Sequence, residues 1–112
     1  VVEFTLAGVP FTAITAGPHH DFNDAISFML ICDTQAEIDG LWDGLLQGGG
    51  KPLACGWLMD RYGVRWQIVP RCLGEMIADE DRARAAAVAK AMLGLLKLDI
   101  AALEAAFRSD RC

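Results

Sequence analysis

The chain has 112 residues, enough for one domain and too few for two. Hydrophobic residues make up 54% and charged residues 22%, which fits a globular core and argues against a disordered tail. The formal net charge of −5 argues against nucleic acid, whose binders carry a basic field to neutralise phosphates.

Residues 1–6, VVEFTL, and 9–15, VPFTAIT, are rich in β-branched and aromatic side chains, and Ala7-Gly8 reads as a hairpin turn between them. A two-stranded hairpin is not stable alone, so further strands are expected, some of them upstream of Val1. Residues 16–23, AGPHHDFN, read as a loop. It holds His19-His20-Asp21, the one histidine cluster. Adjacent residues of an extended segment point to opposite sides, so a solvated loop is expected there rather than a metal or acid–base site. Residues 25–32 are apolar on both alternating faces apart from Ser27, which predicts a central strand covered above and below.

Thr34 and Glu37 form the T-x-x-E spacing of a capping box, in which side chains satisfy the free amides of a helix start. Ile38, Leu41, Trp42 and Leu45 follow at helical spacing on one face. Gly48-Gly49-Gly50 ends the helix. These glycines follow a helix and precede a strand, the reverse of a phosphate loop, so they are read as a terminator. KPLACGWLMD and VRWQIVP then read as short strands joined by Arg61-Tyr62-Gly63.

Beyond Pro70 the composition shifts to alanine-rich helix over 79–96, with Asp79, Glu80 and Asp81 at its start and a thin apolar stripe of Val88, Met92, Leu95 and Leu96. Asp99 caps a last helix, IAALEAAF. This tail is expected to lie on the sheet domain or on a partner subunit.

The chemistry is less legible. The longest apolar runs are too short to span a bilayer, and no basic, apolar leader suggests secretion. Cys32, Cys55, Cys72 and Cys112 form no C-x-x-C pair, so they are read as reduced thiols of a cytoplasmic protein rather than zinc ligands. Ser27 and Ser109 lie in no nucleophile elbow. No G-x-G sits at a strand-to-helix turn, so no nucleotide or S-adenosylmethionine cofactor is expected. In residues 56–67, period-two alternation puts Arg65, Gln67 and Val69 on one face and Val64, Trp66 and Ile68 on the other. The second set is expected under the Trp42 helix. The first faces solvent or a ligand cavity, two readings of about equal weight.

The order of a hairpin, FNDAISFMLICDTQAEIDGLWDGLLQGGG, CGWLMDRYGVRWQIVP and a tail ending KLDIAALEAA resembles the PhnB-like family over nearly the whole chain. That family is also labelled demethylubiquinone methyltransferase-like and belongs to the vicinal oxygen chelate superfamily, with glyoxalase I, extradiol dioxygenases and bleomycin-resistance proteins. The resemblance implies an α+β fold of paired βαβββ modules enclosing a concave site, followed by a helical C-terminal tail. The vicinal oxygen chelate domain then covers 1–70, with a partial first module at 1–16 and a complete second module at 25–70, and the extension covers 71–112. In metal-using relatives each module supplies a His near its start and a Glu in its last strand. Here those second-module positions fall near Ala25 and at Gln67, neither a good ligand, so no metal is expected.

The resulting expectation is a cytoplasmic homodimer that binds a small molecule, with Gln67, Arg65 and Trp57 as ligand-contacting candidates and no assigned reaction or catalytic residue. Two alternatives stand beside it. One is a metal-dependent lyase, isomerase or dioxygenase with ligands from the missing part of the first module. The other is a non-catalytic, resistance-type binding protein in which aromatics such as Trp57 sequester a drug.

Overall fold

The structure, a computed structural model, describes residues 1–17 and 20–109, with Ser109 described in its backbone alone. His19 and Cys112 lie outside the described residues. β1 (Val2–Leu6) and β2 (Val9–Ala13) pair antiparallel, from Val2↔Ala13 to Leu6↔Val9. Ala7 at φ 48° and Gly8 at φ 79° make the turn. Two successive left-handed residues match the twist of a tight hairpin. Alternation collects Val2, Phe4, Leu6, Val9 and Phe11 on one face, where Phe4 and Phe11 stack with ring centroids 5.6 Å apart. That face is uncovered: Val2 is 61% and Leu6 58% exposed.

The second sheet has the order β3-β6-β5-β4, from β3 (Phe28–Cys32), β4 (Lys51–Pro52), β5 (Trp57–Met59) and β6 (Arg65–Pro70). β3 runs parallel to β6, and the other two pairings are antiparallel. A parallel pair needs a crossover, and α1 (Gln35–Leu46) lies within it. The expected cap is present: the Glu37 amide donates to Thr34 Oγ1 at 3.2 Å. Ile38 and Trp42 of α1 pack on Cys32, Leu58 and Ile68, with Leu30 and Trp66 at the margin. Each fully buried aliphatic side chain here contributes about 1.5–3 kcal/mol. Trp66 and Ile68 thus lie on the α1 side of β6, as their alternation predicts.

Two strand expectations are corrected. Residues 25–32 do not form a central strand: β3 starts at Phe28 and lies at the sheet edge, with Met29 53% and Ile31 52% exposed. An apolar second face carries the same pattern whether or not its own sheet covers it. KPLACGWLMD is two strands rather than one, because Cys55 at φ 61° and Gly56 at φ 84° turn the chain between β4 and β5.

The tail begins with a helix that the sequence does not announce, α2 (Arg71–Ile77), which has no side-chain cap. α3 (Arg82–Leu93) is shorter than the expected 79–96. Asp81 caps it by accepting from the amides of Ala83 and Arg84, and Gly94 ends it. α4 is Ile100–Ser109, and the Ala102 amide donates to Asp99 Oδ1 at 3.1 Å. A second core joins Leu73, Met76, Val88, Leu98 and Leu103, and Val69 of β6 packs against it.

The tail therefore lies on the sheet of its own chain. Gln35 of α1 fastens it: its Nε2 donates to the Leu98 carbonyl at 3.1 Å, and its Oε1 accepts from the Ile100 amide at 2.8 Å. Lys97 and Asp39 pair beside it at 2.9 Å. The Cys55 and Gly56 amides donate to the carbonyls of Leu95 and Leu96 at 2.9 and 2.8 Å. No described helix is long and apolar enough to cross a membrane.

Candidate functional site

Register decides which side chains meet on the sheet face away from α1. Met29 pairs with Gln67, and Gln67 pairs with Trp57, so the three stand in one row across β3, β6 and β5. Side chains in such a row are direct neighbours. Ile31 and Val69 continue this face. α2 and α3 flank it, and together they leave a cavity of about 350 Å³ lined also by Cys55, Arg71, Leu73, Ile77 and Met92. Gln67 and Trp57, two of the residues singled out by sequence, therefore line one hollow.

Gln67 is the polar centre of the row. Its Nε2 donates to Ser27 Oγ at 2.8 Å, across 40 positions of sequence. Ser27, the one polar residue of its segment, is a contributor that sequence reasoning passed over. Its interruption of an otherwise apolar run was the available signal. Arg71 is the charged member of the lining, and its Nε donates to Asp33 Oδ1 at 2.7 Å.

Arg65 has a different position. Its Nε meets Asp24 Oδ1 at 2.7 Å, and one terminal nitrogen donates to the carbonyls of Phe22 at 3.3 Å and Gly63 at 2.7 Å. These bonds fasten the 22–24 loop to β6. Arg65 lines a separate hollow of about 580 Å³ with Phe22, Ile26 and Phe28.

At the far end of the β5–β6 hairpin, Asp60 organises the turn. It accepts from the amides of Tyr62 and Val64 at 2.8 and 3.0 Å and from Trp66 Nε1 at 2.9 Å. Burial alone raises a carboxyl pKa, yet the Trp66 indole and the turn amides outweigh it and hold Asp60 below its usual range. The Cys32 thiol is pushed up, first by burial and then by the nearby Glu37 and Asp33 carboxylates. That is the opposite of what an activated nucleophile needs.

Cofactor chemistry can be tested against this geometry. The resemblance implies second-module ligand positions near Ala25 and at Gln67. Alanine has no donor, and a neutral amide bonded to a serine hydroxyl is a poor set for a transition metal. The residues do not fit the ion. Among the described residues, no three or more His, Cys, Asp or Glu side chains gather in a way that could hold a metal. The two strand-to-helix junctions of the second sheet are Asp33-Thr34 and the direct step from Pro70 to Arg71. Neither has the glycines that let a backbone wrap a nucleotide-type cofactor.

No curated protein matches the chain. The model of the 3-demethylubiquinone-9 3-methyltransferase family matches residues 1–69, a span that holds both sheets except Pro70 and stops before the helical tail. With more than half of its length inside that match, the chain belongs to the 3-demethylubiquinone-9 3-methyltransferase family.

Proposed function

We propose that the chain is a PhnB-like protein of the glyoxalase/bleomycin-resistance superfamily that binds a small organic molecule over the Met29–Gln67–Trp57 row. That row is the observation that carries the reading: a hydrogen-bonding amide stands between a thioether and an indole, in a hollow walled by two helices. Pockets of this kind, apolar with few polar groups, are the usual form of a small-molecule site. The order β3-α1-β4-β5-β6 supplies one βαβββ module. The β1–β2 hairpin is the closing part of a second, so that paired curved sheets enclose the ligand. Gln67 and Trp57 contact it; Arg65, in the separate hollow, fastens the 22–24 loop. No reaction step is assigned.

The reading includes a homodimer. Among the described residues the outer edge of β3 is unpaired, and its five residues carry no charge and no proline. Such an edge is a template for another strand. The uncovered apolar face of the hairpin adds surface that association would bury. The free thiols of Cys32, Cys55 and Cys72 support a reducing compartment, the cytoplasm.

The test is tryptophan fluorescence across a broad panel of small organic compounds. The expected result is saturable quenching by at least one compound, lost in Trp57→Phe. No saturable response across the panel, or equal quenching in Trp57→Phe, overturns the reading.

A further inference from the structure

We infer that Gly74 is the gate of this cavity. Small molecules enter between β3 and α2 across that glycine, and its missing side chain sets how bulky an entrant can be. The inference rests on the cavity reading above and adds its route of access.

The lining divides by exposure. Trp57, Gln67, Leu73 and Met92 are buried or half-buried and make the inside. Met29 and Ile31 of β3, and Arg71 and Gly74 of α2, are exposed. These four stand at the rim, two on the sheet side and two on the helix side, so the hollow opens between β3 and α2. Arg71 and Gly74 are three residues apart and share one face of the helix. Met76 of the same helix is buried in the second core.

Three of the rim positions carry bulky side chains, and the fourth carries none. Nothing local calls for glycine there. Gly74 is the central residue of α2, an interior position where glycine destabilises a helix relative to alanine. It is not among the glycines with positive φ, so the backbone does not require it. Packing does not require it either: a Cβ at Gly74 would meet nothing within 4 Å. What the glycine preserves is open space, and that space borders the cavity it lines. Stability given up to keep an opening clear is the trade-off expected at a binding site.

The interior is not the narrow part. A dry cavity of roughly 150 Å³ admits benzene, and this one is about 350 Å³. A ring of that size fits inside once it has passed the rim.

Cys55 lies in the lining and is half-buried, so its alkylation reports passage through the mouth. Cys72, half-buried but outside that lining, controls for general reactivity, and the buried Cys32 controls for unfolding. The full chain is treated with iodoacetamide or with the bulkier N-(1-pyrenyl)maleimide, and each thiol is followed by peptide mass. In Gly74→Leu the Cys55 rate should fall at least tenfold with both reagents, while that of Cys72 changes less than twofold. In Gly74→Ala it should fall several-fold for the pyrenyl reagent alone, and Tm should rise by roughly 2–6 °C. Toluene should protect Cys55 saturably in the unaltered chain.

An unchanged Cys55 rate in Gly74→Leu, with Cys32 still unreactive, overturns the gate and leaves the cavity reading standing. A lowered Tm in Gly74→Ala also overturns it and assigns the glycine to packing. Failure of toluene to protect Cys55 in the unaltered chain counts against the cavity itself. If Gly74→Leu unfolds, as Cys32 reactivity would show, Gly74→Ala decides alone: a pyrenyl rate equal to that of the unaltered chain overturns the gate.

Discussion

Gly56 lies directly beneath Leu98: a Cβ on Gly56 would meet Leu98 Cδ1 at 2.9 Å and the Ile68 carbonyl oxygen at 3.0 Å. Gly56 also has φ +84°, a conformation that side chains resist. The turn that splits β4 from β5 is thereby the seat on which the C-terminal helices dock.

Gly56→Ala is accordingly expected to destabilise the chain by about 2–4 kcal/mol, from left-handed strain and overpacking together. Urea unfolding followed by tryptophan emission measures it. A loss below ~1 kcal/mol would mean that the tail is not seated on this turn.

Gly40 and Gly44 predict the opposite sign. Both are exposed on α1, and a Cβ at either meets nothing within 4 Å. Glycine inside a helix costs about 0.5–1 kcal/mol relative to alanine. The double variant Gly40→Ala/Gly44→Ala should gain roughly 1–2 kcal/mol, seen as a raised Tm. An unchanged Tm would show that these positions carry a packing constraint.

Asp60 sets a pH dependence. Its folded pKa is held below the usual carboxylate value by the Trp66 indole and the turn amides, against the effect of burial. Its contribution is then fully present above the unfolded value of about 3.9 and is lost as pH falls through the folded value. Asp60→Asn should cost about 1 kcal/mol at pH 7, and the gap from the unaltered chain should narrow as pH falls below about 4. Denaturant titrations at pH 7 and pH 3 check this. A gap as wide at pH 3 as at pH 7 would assign the effect to shape rather than charge.

The uncovered hairpin and the bare β3 edge predict association. Tm should rise with protein concentration, as it does when folding and assembly are linked. Sedimentation velocity should give the mass of a pair. Phe4→Ser/Phe11→Ser should shift that pair towards monomer, since these stacked rings stand in the exposed apolar face. A concentration-independent Tm with monomeric sedimentation at micromolar concentration would overturn the dimer.

Gln67 also makes a prediction about metals. Its amide is bonded to Ser27 and has no carboxylate beside it in the row. Gln67→Ala should leave any affinity for zinc or manganese unchanged by calorimetry. Loss of stoichiometric binding in that variant would make Gln67 a ligand and reinstate the metal-dependent reading.

The local rules written in the sequence hold where the signal is local. The Thr34 cap, the Asp99 cap and the alternation that sends Trp66 and Ile68 towards α1 each depend on residues within a few positions of one another. The signal fails where structure depends on distant partners. β3 looks central because both its faces are apolar, and sequence does not distinguish a face covered by its own sheet from one left to a cavity. α2 is seven residues long with no capping side chain, too little for periodicity to register. The Gln67–Ser27 bond joins groups 40 positions apart, so the polar centre of the site emerges only once β3 and β6 are in register.

The two borders of the second sheet are chemically unequal. The β3 border is five apolar-rich residues long, whereas the β4 border is two residues, a lysine and a proline. Charge and the missing proline amide make the latter a poor place to add a strand. Within this sheet, then, one border can accept a further strand and the other cannot. Strand addition along this sheet stops after one step instead of propagating from edge to edge, which lessens the hazard of an exposed apolar strand.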